Sequence, residues 1–274
     1  MSKKYMTVAV RKNVSEILII KKRKVIFRQI FNYGYGKAGD RESALSRIFS
    51  EYGGKKYPAV MSLPDDKCVY KSIKTDLSGN KLKKHVQSEL SEFIGEDAER
   101  YLFEYMYLGE RKNSVKFAAA AKKEEVLELI NTLGAFGIRL IKLVPETAAL
   151  LRAAKSEAER SRPVIGDFRE DGAILRFFDG EGNAARFETE KTGGDPAGYF
   201  SEIKNALEYY EAKGITKKDS QVYLTGEETL NADFVRTFMK ETGRPCKSIG
   251  ALIPAEISLA DAAISPYETG AIFQ

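Results

Sequence analysis

PVIGDFREDGAILRFFDGEGNAARFETEKTGGDPAG, Pro163–Gly198, holds three short apolar runs parted by turn residues. Pro163–Phe168, Ala173–Phe178 and Ala184–Thr189 read as strands. Glu170–Gly172 and Asp179–Asn183 supply the acidic and glycine residues that reverse a chain. Three strands joined by such turns make an antiparallel meander. Asp195 then reads as a helix cap and Pro196 as the first helical residue, where a missing N–H costs nothing. The helix runs to about Lys213 with Ile203, Leu207 and Tyr210 along it, and QVYLT, Gln221–Thr225, follows as a short buried strand ended by Gly226.

The same order stands at the amino end. In YMTVAVRKNVSEILII, Tyr5–Ile20, apolar residues alternate through Met6, Val8 and Val10, then resume as a β-branched run at Ile17–Ile20. Arg11–Asn13 and Lys21–Lys24 read as turns, and Val25–Phe31 as the third strand. A helix over Arg41–Tyr52, capped by Asp40, and a short strand in Tyr57–Leu63 complete the set. Meander, helix and short strand therefore occur twice, at about 5–63 and 163–225. Identity between the copies is negligible, so the shared order is the signal.

Between them lies a strand–helix–strand–strand–helix–strand region. Its helix Asn80–Ile94 carries Leu82, Val86, Leu90 and Phe93 on one face. The helix Lys122–Gly134 carries Val126, Leu127, Ile130 and Leu133, with Gly134 or Gly137 ending it. Ile138–Val144 reads as the closing strand, and Pro145 opens a helix to about Glu159. Near the end, Thr229–Thr242 reads as helix, Lys247–Ile249 as strand and Glu256–Ala263 as helix. The division this predicts is a first lobe at 1–66 and 145–160, an inserted α+β subdomain at 67–144, and a second lobe at 161–274.

The 274 residues suffice for two cores, and 43% hydrophobic with 30% charged residues describe a folded, soluble chain. The net charge of +5 is concentrated at the amino end, in Lys3, Lys4, Arg11, Lys12 and Lys21–Lys24. Such an edge attracts nucleic acid or an anionic membrane surface, or it is a solvated strand edge guarded by lysines. The missing aromatic and glycine-rich nucleic-acid motifs favour the second reading. Cys68, Cys246 and the single His85 form neither a metal pattern nor a disulfide framework, so reduced thiols and no metal site are expected. No signal-peptide pattern or membrane-length apolar run is visible.

Catalytic motifs are missing as well: GxSxG, HExxH and GxxxxGK[ST] do not occur. His85 stands beside Lys83 and Lys84, where a solvated side chain is expected rather than a base. Asp65–Asp66 reads as a turn, and Glu124–Glu125 as the first turn of a helix. Tyr209–Tyr210 reads as one surface and one core ring. Gly193–Gly194 suits either a phosphate at a helix start or a tight strand-to-helix turn, and the turn is preferred.

YPAVMSLPDDKCVYKSIKTD (57–76), FAAAAKKEEVLELINTLGAFGIRLIKLVPETAALLRAA (117–154), Val164–Asp195, VYLTGEE (222–228) and YETGA (267–271) together resemble a family of actin-like proteins. These are the PilM-like proteins of type IV pilus assembly and the cytoplasmic part of the type II secretion L subunit. The resemblance spans nearly the whole chain. It implies an α/β, two-lobed, actin-like (ribonuclease H-like, duplicated) fold of the actin, hexokinase and heat-shock-chaperone superfamily, with an FtsA-type inserted α+β subdomain.

Members of the superfamily that bind ATP hold its phosphates between two hairpin turns, one per lobe. Such turns need glycine for backbone approach and an Asp for Mg²⁺. Where PilM-like proteins carry Asp-x-Gly in the first hairpin, this chain has Ala9, Val10 and Arg11. The second hairpin keeps Asp167, but Phe168 and Arg169 follow it. The adenosine-side glycine pair is reduced to Gly226 before Glu227 and Glu228, carboxylates that a triphosphate repels. The degenerate nucleotide-binding set is thus Arg11, Asp167, Gly193, Gly194 and Gly226, with Arg11 still a cation that a phosphate can meet.

The expectation is a non-enzymatic scaffold without a cofactor, cytoplasmic and peripheral to the inner membrane. The resemblance implies as partners the cytosolic tail of an inner-membrane pilus or secretion protein, the assembly ATPase and a second copy in a homodimer. It implies no nucleic acid and membrane contact only through partners. The alternative is a Mg-ATP-dependent ATPase or phosphotransferase with Asp167 as its carboxylate.

Overall fold

Alternating apolar residues with turns between them give three-stranded meanders at both expected places. In a computed structural model of the chain, residues 4–10, 14–21, 24–32, 46–47, 50, 58–63, 65–107, 115–135, 137–153, 162–169, 172–179, 184–191 and 196–249 are described. Strands β1 (Lys4–Val10), β2 (Val14–Lys21) and β3 (Lys24–Asn32) form the first meander. Strands β9 (Val164–Arg169), β10 (Gly172–Phe178) and β11 (Ala184–Glu190) form the second.

Each meander is extended by two parallel strands. β4 (Ala59–Leu63) and β8 (Leu140–Pro145) complete the order β3-β2-β1-β4-β8. β12 (Val222–Thr225) and β13 (Cys246–Ser248) complete β11-β10-β9-β12-β13. The duplication reaches single pairs. Val10 faces Ser15 and Phe168 faces Ala173, while Leu18 faces Arg28 and Arg176 faces Arg186. A constant offset of 158 residues relates these pairs, and it also relates Met6–Ala59 to Val164–Val222 through its first member. Ala9 therefore occupies the position of Asp167, and Leu18 that of Arg176.

A three-stranded sheet, β5-β7-β6, stands between the two copies in sequence. It comprises β5 (Cys68–Lys74), β6 (Tyr101–Tyr107) and β7 (Val115–Lys122), and helix α1 (Gly79–Ile94) covers one face through Leu82, Val86 and Leu90. Helix α2 (Lys123–Ala135) packs Leu133 against Met6, Ile19, Ala59 and Met61 of the first sheet. Gly137, in the left-handed region, ends α2 by donating to the Gly134 carbonyl at 2.9 Å. So the predicted boundary at 144 is displaced. β8 pairs in parallel with β4, and α2 lies on the first sheet, because Ile138–Val144 completes that sheet rather than the insertion.

Two helix faces also differ from expectation. Phe93 is 66% exposed, and Leu127 and Ile130 are 54% and 43% exposed. The helical period marks an apolar stripe wider than the part that packs: α1 buries Leu82, Val86 and Leu90, and α2 buries Val126 and Leu133.

Helix α3 (Glu146–Ala153) follows β8, and α4 (Pro196–Ala212) and α5 (Ala232–Thr242) cover one face of the second sheet. Asn231 caps α5, accepting from the Asp233 amide at 2.9 Å. Tyr210 stacks on Phe177 with ring centroids 4.1 Å apart, while Tyr209 is exposed, as the sequence predicted. The helix expected over 41–52 is described only at 46–47 and 50, which are helical. The turn 11–13, Asp195, the helix 256–263 and YETGA lie outside the described residues.

Candidate functional site

The second sheet turns its other face to the first lobe. Ile165, Phe178, Tyr223 and Ile249 meet Val60, Val144, Ala148, Ala149 and Leu150, and Phe117 of the insertion joins them. Burying the four second-lobe side chains contributes about 6–12 kcal/mol in gross terms, at ~1.5–3 kcal/mol each. The space between the lobes is therefore closed at this level by apolar packing.

A charged cluster lies within the closure. Asp65 stands at the end of β4, in a 3₁₀ turn over Asp65–Lys67. It accepts from the Thr147 amide at 2.9 Å and the Thr147 hydroxyl at 2.7 Å, so it caps the start of α3. A carboxylate is favoured there by the helix dipole. Arg176, fully buried on β10, reaches across from the second lobe. Its Nη2 donates to Asp65 Oδ2 at 2.7 Å and to Glu146 Oε2 at 3.0 Å. Its Nε donates to Asp65 Oδ2 and Thr147 Oγ1, both at 3.0 Å. Tyr70 of β5 lies beside the group and stacks on Phe117 at 5.3 Å. Burial pushes its hydroxyl above the ordinary value and the Asp65 carboxylate adds to this, while a hydrogen bond with Thr147 and the charges of Arg176 and Arg186 oppose the rise. One guanidinium of the second lobe is thus tied to the first.

Asp65 reads from the sequence as a turn residue, and it stands in one. Its side chain is only 2% exposed, because the cap it gives α3 and the guanidinium beyond it draw the carboxylate inward. The signal for Arg176 was present but unread: it is the sole charged residue in the run AILRFF.

Two of the predicted site residues, Asp167 and Gly226, lie on β9 and just after β12. Asp167 is buried, and the Arg169 guanidinium holds its carboxylate, with Nε at 2.9 Å from Oδ2 and Nη2 on the same oxygen. Thr225 pairs with Asp167 in the parallel register, which brings Gly226 alongside β9. Gly226 has φ +97°, and a Cβ there would lie 2.6 Å from the Phe168 carbonyl carbon and 2.8 Å from its nitrogen. Its lack of a side chain is required by the Phe168 backbone. Glu228 pairs with Lys191 at 3.0 Å. Asp167 and Gly226 are thus brought together, whereas Arg11, Gly193 and Gly194 lie outside the described residues. Among the described residues no group of three His, Cys, Asp or Glu is arranged to hold a metal ion.

No protein-family model matches the chain, and no curated protein matches its sequence. Solved structures do. The chain is similar to a PilM–PilN type IV pilus biogenesis complex, at 12% identity and TM-score 0.71, with 100% of this chain and 98% of that one covered. It is similar to a Bacteroides thetaiotaomicron protein with actin-like ATPase fold and unknown function, at 11% identity and TM-score 0.61, covering 100% and 96%. The cytoplasmic domain of EpsL, an inner-membrane component of the Vibrio cholerae type II secretion system, is similar at 14% identity and TM-score 0.54, covering 82% and 83%.

The fold is actin-like.

In this actin-like chain the two hairpin turns are β1–β2 and β9–β10, and their registers match. The second carries the Asp167–Arg169 pair, while the equivalent of Asp167 in the first is Ala9. The insertion presents a separate surface. Phe93 lies under the Lys71 ammonium, which is 4.8 Å from its ring and 2.7 Å from Glu89. Leu102 is exposed on β6, and Lys81, Lys83 and Lys84 are exposed on α1. His85 is half-buried on the same helix. No helix among the described residues is long and apolar enough to cross a membrane.

Proposed function

We propose that this chain is an actin-like assembly scaffold of a type IV pilus or type II secretion machine, acting through its surfaces rather than through a nucleotide. The reading rests above all on Asp167. The one carboxylate kept from an ATP cradle is neutralised by the chain's own Arg169, and its counterpart in the other lobe is Ala9. A Mg²⁺ ion needs that oxygen and gains little from a site already holding a cation. Gly226, the remaining cradle glycine, is accounted for by the approach of Phe168.

The partner we propose is a cytosolic segment of an inner-membrane protein of the same machine, bound at the insertion. Support comes from the likeness in fold to a PilM–PilN complex and to the cytoplasmic domain of EpsL. Exposed Phe93 on α1 provides apolar contact, and the α1 lysines a basic rim. The assembly ATPase and a second copy of the chain are further partners in this reading, and its place is the cytoplasmic side of the inner membrane.

The test is calorimetric titration of the chain with synthetic cytosolic tails of the inner-membrane pilus and secretion proteins of its own organism. One tail is expected to bind at micromolar affinity and to lose most of it when Phe93 is replaced by Ser. Binding by none of the tails, alongside a saturable response to Mg·ATP, would overturn the proposal in favour of the nucleotide-dependent enzyme.

A further inference from the structure

Two lobes in one chain move relative to each other by default, and closure around a ligand is the usual use of that motion. Arg176 lies where such motion would have to occur. It belongs to β10 in the second lobe, yet it forms ion pairs with Asp65 and Glu146, which belong to the first. Both lie where the chain leaves or rejoins the first sheet: Asp65 after β4 and Glu146 after β8.

The sheet itself does not demand an arginine here. The equivalent position in the first meander is Leu18, also fully buried, so the duplicated architecture accepts an aliphatic side chain at this register. A buried ion pair is a poor way to gain stability, because desolvating the charges cancels much of the attraction. What it provides is geometry. A planar guanidinium bonded to Asp65, Glu146 and Thr147 fixes distance and angle together. The surrounding residues Ile165, Phe178, Val144 and Ala148 are buried too, so sliding the lobes apart would expose the charges and the apolar surface at once.

We propose that Arg176 is an inter-lobe clasp, which holds the two lobes in one arrangement with no nucleotide between them. The clasp makes the body a rigid platform: a partner on the insertion meets the same surface whatever the nucleotide level. The proposal concerns lobe motion alone and is tested without any partner, so its failure leaves the partner-binding proposal standing, and the reverse also holds.

The test is a distance measurement by pulsed electron spin resonance. Spin labels are placed at Glu128→Cys on α2 and Lys240→Cys on α5, both exposed, with Cys68 replaced by Ser and Cys246 by Ala. One narrow distance distribution is expected, unchanged by millimolar Mg·ATP. Arg176→Met, made alone and also with Asp65→Asn and Glu146→Gln so that no uncompensated charge is buried, is expected to broaden the distribution or add a second distance. Two populations in the parent, or a distance that moves with Mg·ATP, would overturn the clasp whether or not the variants fold. A folded triple variant with the parent's narrow distribution would also overturn it.

Discussion

Replacing Gly226 by Ala separates two roles for that residue. A glycine that admits a phosphate can take a methyl group at small cost to stability, losing only ligand. The backbone contact described above predicts a large cost instead. At φ +97° an L-residue pays about 1–2 kcal/mol in conformation. The new Cβ would press on the Phe168 carbonyl oxygen and stand 2.6 Å from its carbon, so β12 must retreat from β9 by about 1 Å or more to restore ordinary carbon–oxygen spacing. That retreat weakens the ladder beside Thr225–Asp167, at about 1 kcal/mol for each hydrogen bond lost. The total is about 3–5 kcal/mol, a large share of the ~5–15 kcal/mol that holds a typical protein folded. At roughly 2–4 °C per kcal/mol for a chain of this size, Tm falls by about 6–20 °C. Circular-dichroism melts with and without Mg·ATP measure it, and amide exchange at Leu224 and Thr225 locates it. A loss under about 1 kcal/mol, with an ATP-induced rise in Tm present in the parent and absent in the variant, would refute the backbone role.

Three further outcomes follow from named contacts. Arg169→Gly restores a glycine to the second hairpin and removes the cation on Asp167. It is expected to cost about 1–3 kcal/mol in urea melts and to confer no Mg·ATP stabilisation, since Ala9 is unchanged. Asn231→Ala removes the α5 cap and costs about 1 kcal/mol, read from the urea midpoint. Lys71→Met removes the hydrogen bond that is the main cause holding Glu89 below its ordinary value of 4.5. A depressed carboxylate stabilises the fold above its unfolded pKa and loses that contribution as pH falls through the folded one. The Lys71→Met deficit is therefore expected at pH 7 and expected to shrink as pH falls through the depressed Glu89 value, and a series of urea melts taken downward from pH 7 checks it.

The meanders were legible because strand alternation and turn residues are local signals, and both survive in Val164–Glu190 without help from distant contacts. The buried faces were legible at Leu82, Val86, Leu90 and Leu133. They failed at Phe93, Leu127 and Ile130, because a helical period does not say which positions of an apolar stripe meet a neighbour. β8 was found as a strand but given to the wrong sheet: its partner β4 lies far back in the chain, and register with a distant strand leaves no local mark. The Asp65–Arg176 contact failed for the same reason, since its members are 111 residues apart. Gly226 was read as the remnant of an adenosine-side glycine pair, and the atoms that require a glycine there, in Phe168, become visible only once β9 and β12 pair.

The central claim is that this actin-like body binds a partner segment without a nucleotide. Its most direct test is calorimetric titration of the chain with the tail that it binds, repeated in millimolar Mg·ATP. The account predicts the same stoichiometry and the same Kd in both. A tail that binds only with Mg·ATP present, or whose Kd shifts tenfold or more with it (~1.4 kcal/mol), would contradict the account.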